Sequence, residues 1–180
     1  QQKTIVLAGS TGLVGGAVLS LCLQHPQVGK VVRLLRKATP LPANTPGLNK
    51  VHDVVVDYTN LPSEADWWAA DALICTLGTT IKQAKTAEAF READLHNPSR
   101  LASMGGQRGL KCFVLNSSTM ANPKARGLYL QTKGLAEQAV KNAGIPSVVI
   151  ARPGLLDAAG AGQRGDFRLG EEVGIVASRL

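Results

Sequence analysis

Residues 3–15 read KTIVLAGSTGLVG, an apolar run from Lys3 to Ala8 that passes directly into Gly9-Ser10-Thr11-Gly12-Leu13-Val14-Gly15. The run suits a buried strand, and from about Gly12 to Gln24 the apolar residues recur at helical spacing until His25-Pro26 ends the pattern. Strand, glycine turn and helix in that order open a βαβ unit. In a G-x-x-G-x-x-G turn so placed, the first glycine permits the tight bend. The second lets the backbone approach a pyrophosphate, and the third lets the helix lie close on the strand. The unpaired amides and the dipole of the helix start favour the phosphate charges. Gly9, Ser10, Thr11, Gly12, Leu13, Val14 and Gly15 are therefore the predicted cradle of a dinucleotide.

Outward from this loop the chain keeps alternating. Strands are predicted over Val31–Leu35, Val51–Val56, Ala72–Leu77, Cys112–Asn116 and Ser147–Arg152. Helices are predicted over Thr86–Gln107, interrupted at Asn97-Pro98, and over Ala125–Asn142, stopped by Gly144 and Pro146. Prolines between Thr39 and Pro46 exclude helix and central strand there. The pattern implies an α/β fold, a single doubly wound parallel sheet of the Rossmann type spanning residues 1–180. A short glycine-rich flap at about residues 157–172, with Gly160, Gly162, Gly165 and Gly170, is predicted to be mobile without substrate.

The end of the second strand speaks to the cofactor. A dinucleotide fold that takes NAD(H) places an acid about 20 residues beyond the glycine loop, on the ribose 2′-hydroxyl. Here Leu34-Leu35 is followed by Arg36-Lys37, and a guanidinium at that point suits a 2′-phosphate. NADP(H) is the expected cofactor and NAD(H) the less favoured one. Asp57, beyond the third strand, reads either as a partner of the adenine amino group or as a turn residue.

Composition narrows the remaining classes. A hydrophobic share of 44% supports a sizeable core, and no apolar run reaches the roughly 20 residues of a membrane span. A net charge of +7 raises the question of nucleic acid, but the cations are scattered and aromatics amount to 4%, too few for base stacking. Cys22, Cys75 and Cys112 show no metal or redox spacing and read as reduced, buried thiols, and His25, His52 and His96 have no second ligand, so no metal is expected. Gln1-Gln2-Lys3-Thr4 carries no secretory pattern, which reads as a cytoplasmic protein, monomer or homodimer, without membrane or nucleic-acid partner.

Tyr129 and Lys133 stand one helical turn apart, and Ser117-Ser118 follows the predicted fifth strand, at the edge where open parallel sheets bind ligands. The glycine loop, a Ser after strand five, Y-x-x-x-K and a strand ending in Arg152-Pro153-Gly154 together resemble the short-chain dehydrogenase/reductase superfamily. The runs CTLGTTIKQAKTAEAFREADL (Cys75 to Leu95) and LYLQTKGLAE (Leu128 to Glu137) are similar to its atypical branch, which includes the human Tat-interacting protein and its bacterial relatives. The resemblance spans roughly residues 3–156. It implies Tyr129 as proton donor or acceptor, Lys133 as the holder of the nicotinamide ribose, and Ser118 on the substrate oxygen, with Ser117 as the alternative. It also implies that Gly78, Pro153 and Gly154 border the nicotinamide end, although each also reads as loop punctuation. The position that carries an Asn in superfamily members with a proton relay holds Asp94, with Asn97 three residues on.

These features suggest an oxidoreductase moving a hydride to or from a small carbonyl or alcohol. A non-catalytic NADP(H)-binding protein that reports redox state to a protein partner is the alternative. A sugar-nucleotide epimerase or dehydratase is the second, disfavoured because only a short stretch follows Leu156.

Overall fold

Both sides of the first strand are apolar because both are buried: Val6 and Ala8 face one layer of helices, Leu7 the other. A computed structural model describes residues 2–154 of the chain, so the predicted flap lies outside the described residues. Its strands are β1 (Lys3–Ala8), β2 (Val28–Leu35), β3 (Val51–Val55), β4 (Ala72–Cys75), β5 (Cys112–Asn116) and β6 (Ser147–Ala151). They form one parallel six-stranded sheet in the order β3-β2-β1-β4-β5-β6. The helices are α1 (Leu13–Gln24), α2 (Ile81–Ala84), α3 (Ala87–Arg91), α4 (Asn97–Gln107) and α5 (Leu128–Lys141).

On one face α4, α5 and the Trp67-Trp68 turn cover Val6, Ala8, Val32, Leu34, Leu73, Phe113 and Leu115. On the other, Leu19 and Leu23 of α1 pack on Leu7, Val28 and Val31. The sheet is thus flanked by helices on both faces. The chain steps outward from β1 to β2 and β3, then crosses back over β1 to β4 on its other side and continues to β5 and β6. The carboxyl ends of β1 and β4 therefore border the crevice where such sheets take their ligands.

Local chemistry explains where the sequence reading and the structure part. β2 begins at Val28 rather than Val31, and β4 stops at Cys75 rather than Leu77. Helix α5 starts at Leu128, not Ala125, because Asn122 Oδ1 accepts the Lys124 amide at 2.9 Å and Asn122 O accepts that of Ala125 at 3.0 Å, a turn that competes with helix. The expected break at Asn97-Pro98 is a π turn, Glu92–His96, joining α3 to α4. Pro98 falls in the first turn of α4, where a missing N–H is best tolerated.

Candidate functional site

At the end of β1 the chain turns through Gly9 at φ +93°, a region that favours glycine, and the Gly12 amide donates to Gly9 O at 3.0 Å. A Cβ on Gly15 would stand 2.0 Å from Gly9 O, so α1 can lie this close to β1 only with glycine there. Gly12 differs. A Cβ on it would approach nothing nearer than 3.4 Å, so the packing of the protein does not by itself require a glycine. The start of α1 has no side-chain cap, and the buried Ser10 hydroxyl has no hydrogen-bond partner. Space above Gly12, open amides and an unpaired buried hydroxyl fit the phosphates of a dinucleotide.

Beyond β2, Arg36 and Lys37 are exposed, whereas Arg33 is buried and pairs bidentately with its register partner Asp53, Nε to Oδ1 at 2.7 Å and Nη2 to Oδ2 at 2.5 Å. Arg33 Nη2 also donates to Thr39 O at 2.9 Å, bracing the loop that carries Arg36. Asp57 is exposed and accepts the amide and the hydroxyl of Thr59 at 2.8 and 2.7 Å. The Thr59 hydroxyl, followed by its amide, holds the Asp57 carboxyl below the ordinary carboxylate range. Asp57 is thus a working turn residue.

The second half of the site is built from side chains. Tyr129 stands in the first turn of α5, its ring centroid 6.0 Å from that of Phe90. One turn on, Lys133 is buried and its Nζ lies 2.9 Å from Asp94 Oδ1, with Asn116 O at 3.5 Å. Asp94 Oδ2 accepts the Thr79 amide at 2.8 Å. A Cβ on Gly78 would stand 3.2 Å from Asp94 Oδ1 and 3.7 Å from Lys133 Nζ, so this glycine lies against the ion pair. Lys133 therefore bridges the ends of β4 and β5.

Of the two serines after β5, Ser117 is buried and donates to Glu137 Oε1 at 2.6 Å, while Ser118 is partly exposed and donates only locally, to Thr119 O at 3.2 Å. Burial pushes the Glu137 carboxyl up, but Arg152 and Ser117 outweigh it and hold it below the ordinary value. Arg152 Nε meets Glu137 Oε1 at 2.9 Å and Nη2 meets Oε2 at 2.5 Å. Pro153 O accepts the Thr119 amide and hydroxyl, each at 3.0 Å, tying the loop after β6 to the loop after β5. A Cβ on Gly154 would find nothing nearer than 4.0 Å. In the sequence Asp94 shows only as a departure from a pattern and Arg152 only as part of a strand-end motif, and nothing there marks Glu137 as a partner of Ser117. The signal for Glu137 is its position four residues past Lys133, which puts Tyr129, Lys133 and Glu137 on one stripe of α5.

Among the described residues no three His, Cys, Asp or Glu side chains gather as a metal site requires, and no helix is long and apolar enough to cross a membrane. Cys75 is fully buried, which pushes its thiol up to about 12, while Cys22 and Cys112 are half-buried.

No family model matches the chain. It is 32% identical over 163 residues to the mitochondrial protein FMP52 of Lodderomyces elongisporus, covering 86% of this chain and 67% of that protein. To the mitochondrial protein fmp52 of Emericella nidulans it is 30% identical over 171 residues, covering 94% and 72%. The chain belongs to the FMP52 family. The reading of a cytoplasmic protein is corrected by these FMP52 relatives, which are named mitochondrial. That reading rested on Gln1–Thr4, residues that say nothing about what precedes them.

Among solved structures, the PhqB reductase domain from Penicillium fellutanum matches with a TM-score of 0.70 at 21% identity, over 98% of this chain and 56% of that one. The UDP-glucuronic acid 4-epimerase from Bacillus cereus in complex with NAD matches at 0.64 and 17%, over 84% and 57%. The chain spans little more than half the length of these structures. At such identities the likeness establishes the Rossmann-type fold of this FMP52 relative, which it shares with that reductase domain and that epimerase.

Proposed function

We propose that the protein is an NADP(H)-dependent oxidoreductase of the short-chain type that interconverts a small carbonyl compound and its alcohol. The observation that carries the reading is the arrangement along one sheet edge. A glycine cradle with an unpaired buried hydroxyl ends β1, and Lys133, a turn from Tyr129, reaches Asn116 O at the end of β5, two residues before the partly exposed Ser118. Arg36, with no acid at the end of β2, supports NADP(H) over NAD(H). The mitochondrial naming of the relatives makes a mitochondrial setting the natural one.

When bound, the nicotinamide supplies a hydride to the carbonyl carbon. Tyr129 gives its phenolic proton to the carbonyl oxygen, and the Ser118 hydroxyl donates a hydrogen bond to that oxygen as negative charge develops. Lys133 holds the nicotinamide ribose. Ser117, occupied by Glu137, is left to structure.

The test is oxidation of NADPH and NADH with a panel of aldehydes and ketones, for the unmutated protein and Tyr129→Phe. NADPH should bind the more tightly. General acid catalysis contributes about 10²–10⁴-fold, so Tyr129→Phe should lose at least about 100-fold in kcat while binding NADPH within a few-fold. A Tyr129→Phe variant that reduces carbonyls as fast as its parent overturns the mechanism. The Lys133–Asp94 pair favours a second reading, a protein that binds NADP(H) without turning it over, because Asp94 offsets the Lys133 charge available to the reacting groups while leaving an N–H for the ribose. Heat stabilisation by NADPH with no carbonyl reduced would select it.

A further inference from the structure

The Lys133–Asp94 pair is nearly dry, its side chains 5% and 1% exposed, and a buried ion pair persists only when its remaining donors and acceptors are satisfied. Asp94 meets this with both oxygens, Oδ1 on the Lys133 ammonium at 2.9 Å and Oδ2 on the Thr79 amide at 2.8 Å. Two donors face it, so only a carboxylate satisfies both. An Asn would turn its NH2 toward one of them and leave a buried donor facing a donor. Asp94 also stands within the π turn that joins α3 to α4, a deformation that recurs at functional sites. Of the three N–H groups on Lys133, one faces Asp94 and one the more distant Asn116 O at 3.5 Å, which leaves one for a partner outside the protein.

We propose that Asp94 is a positioning residue: it fixes Lys133 and the Gly78-Thr79 turn as one unit and so aims the remaining N–H of Lys133 at the nicotinamide ribose. This rests on the dinucleotide reading. It acts at the nicotinamide ribose alone, since Arg36 serves the 2′-phosphate of the adenosine and the glycine loop serves the pyrophosphate.

The experiment measures binding of NADPH and of adenosine 2′,5′-bisphosphate, which lacks the nicotinamide ribose, to the unmutated chain, Asp94→Asn and the Asp94→Asn/Lys133→Met double variant. A lost charge-assisted contact should weaken NADPH roughly 10-fold or more in Asp94→Asn and leave the bisphosphate within about two-fold. Because Asp94 acts through Lys133, the double variant should bind NADPH within about three-fold of Asp94→Asn. The double variant buries neither charge, so it also separates a folding defect from a positioning one. Unchanged NADPH affinity in Asp94→Asn overturns the proposal. So does equal loss of both ligands, or a further 10-fold loss on removing Lys133. Failure of the unmutated chain to bind either ligand removes the dinucleotide reading and this proposal together, and shows itself before any variant is made.

Discussion

The two halves of the sheet hold their parts of the site by different means. Around β1, β2 and β3 the candidate cradle is backbone: a glycine at positive φ, helix amides left open, and a helix seated on a strand where no Cβ fits. Around β4, β5 and β6 it is side chain: Asp94 on Lys133 and Thr79, and Glu137 on Ser117 and Arg152. A backbone site constrains residues within one short segment. A side-chain site constrains residues scattered along the chain, with Ser117 and Glu137 20 positions apart and Glu137 and Arg152 15 apart.

The largest effect should come from forcing a side chain into the backbone half. In Gly15→Ala the new Cβ would lie 2.0 Å from Gly9 O and 2.6 Å from the Gly9 carbonyl carbon, so α1 must lift off β1. Overpacking against backbone should cost about 3 kcal/mol or more, a fall of roughly 6–12 °C in the thermal midpoint of a domain this size. Gly12→Ala, with its Cβ in ordinary contact, should change stability by about 1 kcal/mol at most through the poorer helix cap, yet weaken NADPH binding at least about 10-fold by filling the cradle. Thermal scans with and without NADPH read both outcomes. Equal destabilisation by the two substitutions would erase the distinction between a glycine kept for packing and one kept for a ligand.

The side-chain half should be softer. Glu137→Gln keeps an acceptor for Ser117 but loses the charge that faces Arg152. Removing one partner of a fully buried pair costs several kcal/mol, but the Arg152 side chain is 48% exposed and can turn to water. The expected loss is therefore about 1–2 kcal/mol, read as a lower denaturant midpoint at unchanged slope. A loss above that of Gly15→Ala would reverse the ranking of the halves.

The same contrast explains what could be read from the sequence. β1 and β5 coincide with their sequence-based boundaries because apolar runs between turn residues leave one solution. The roles of Gly9 and Gly15 follow from spacing alone. Whether Ser117 or Ser118 faces the crevice could not be read, because it depends on Glu137, a helix away. Asp94 is only a departure from a pattern in the sequence, because its partners Lys133 and Thr79 are brought to it by the fold. Arg36 and Arg33 are three residues apart and chemically alike. Only the strand register, which sets Asp53 beside Arg33, shows which of them is spoken for.

The smallest effect concerns the seam between the halves. Asp71, just ahead of β4, accepts the Thr4 amide of β1 at 2.9 Å and the Lys111 ammonium, just ahead of β5, at 2.9 Å, with Lys3 at 3.4 Å. The Thr4 amide first, and then Lys111, hold its carboxyl down at about 2, below the ordinary 3.8. A carboxyl lowered on folding stabilises the native state above its unfolded value and stops doing so as protons fill it. The contribution should therefore be whole above about pH 4 and fade toward pH 2. Lys3 and Lys111 are more than half exposed and solvent screens both pairs, so Asp71→Asn should cost under about 1 kcal/mol at pH 7. Its clearer sign is in the slope. Between pH 4.5 and 2.5 the unmutated chain should lose more stability than Asp71→Asn, because only the former has this carboxylate to protonate. Glu137 titrates toward the same end of the scale and keeps some slope in both proteins. Superimposable denaturation midpoints across that range would mean that Asp71 does not couple the two halves of the sheet.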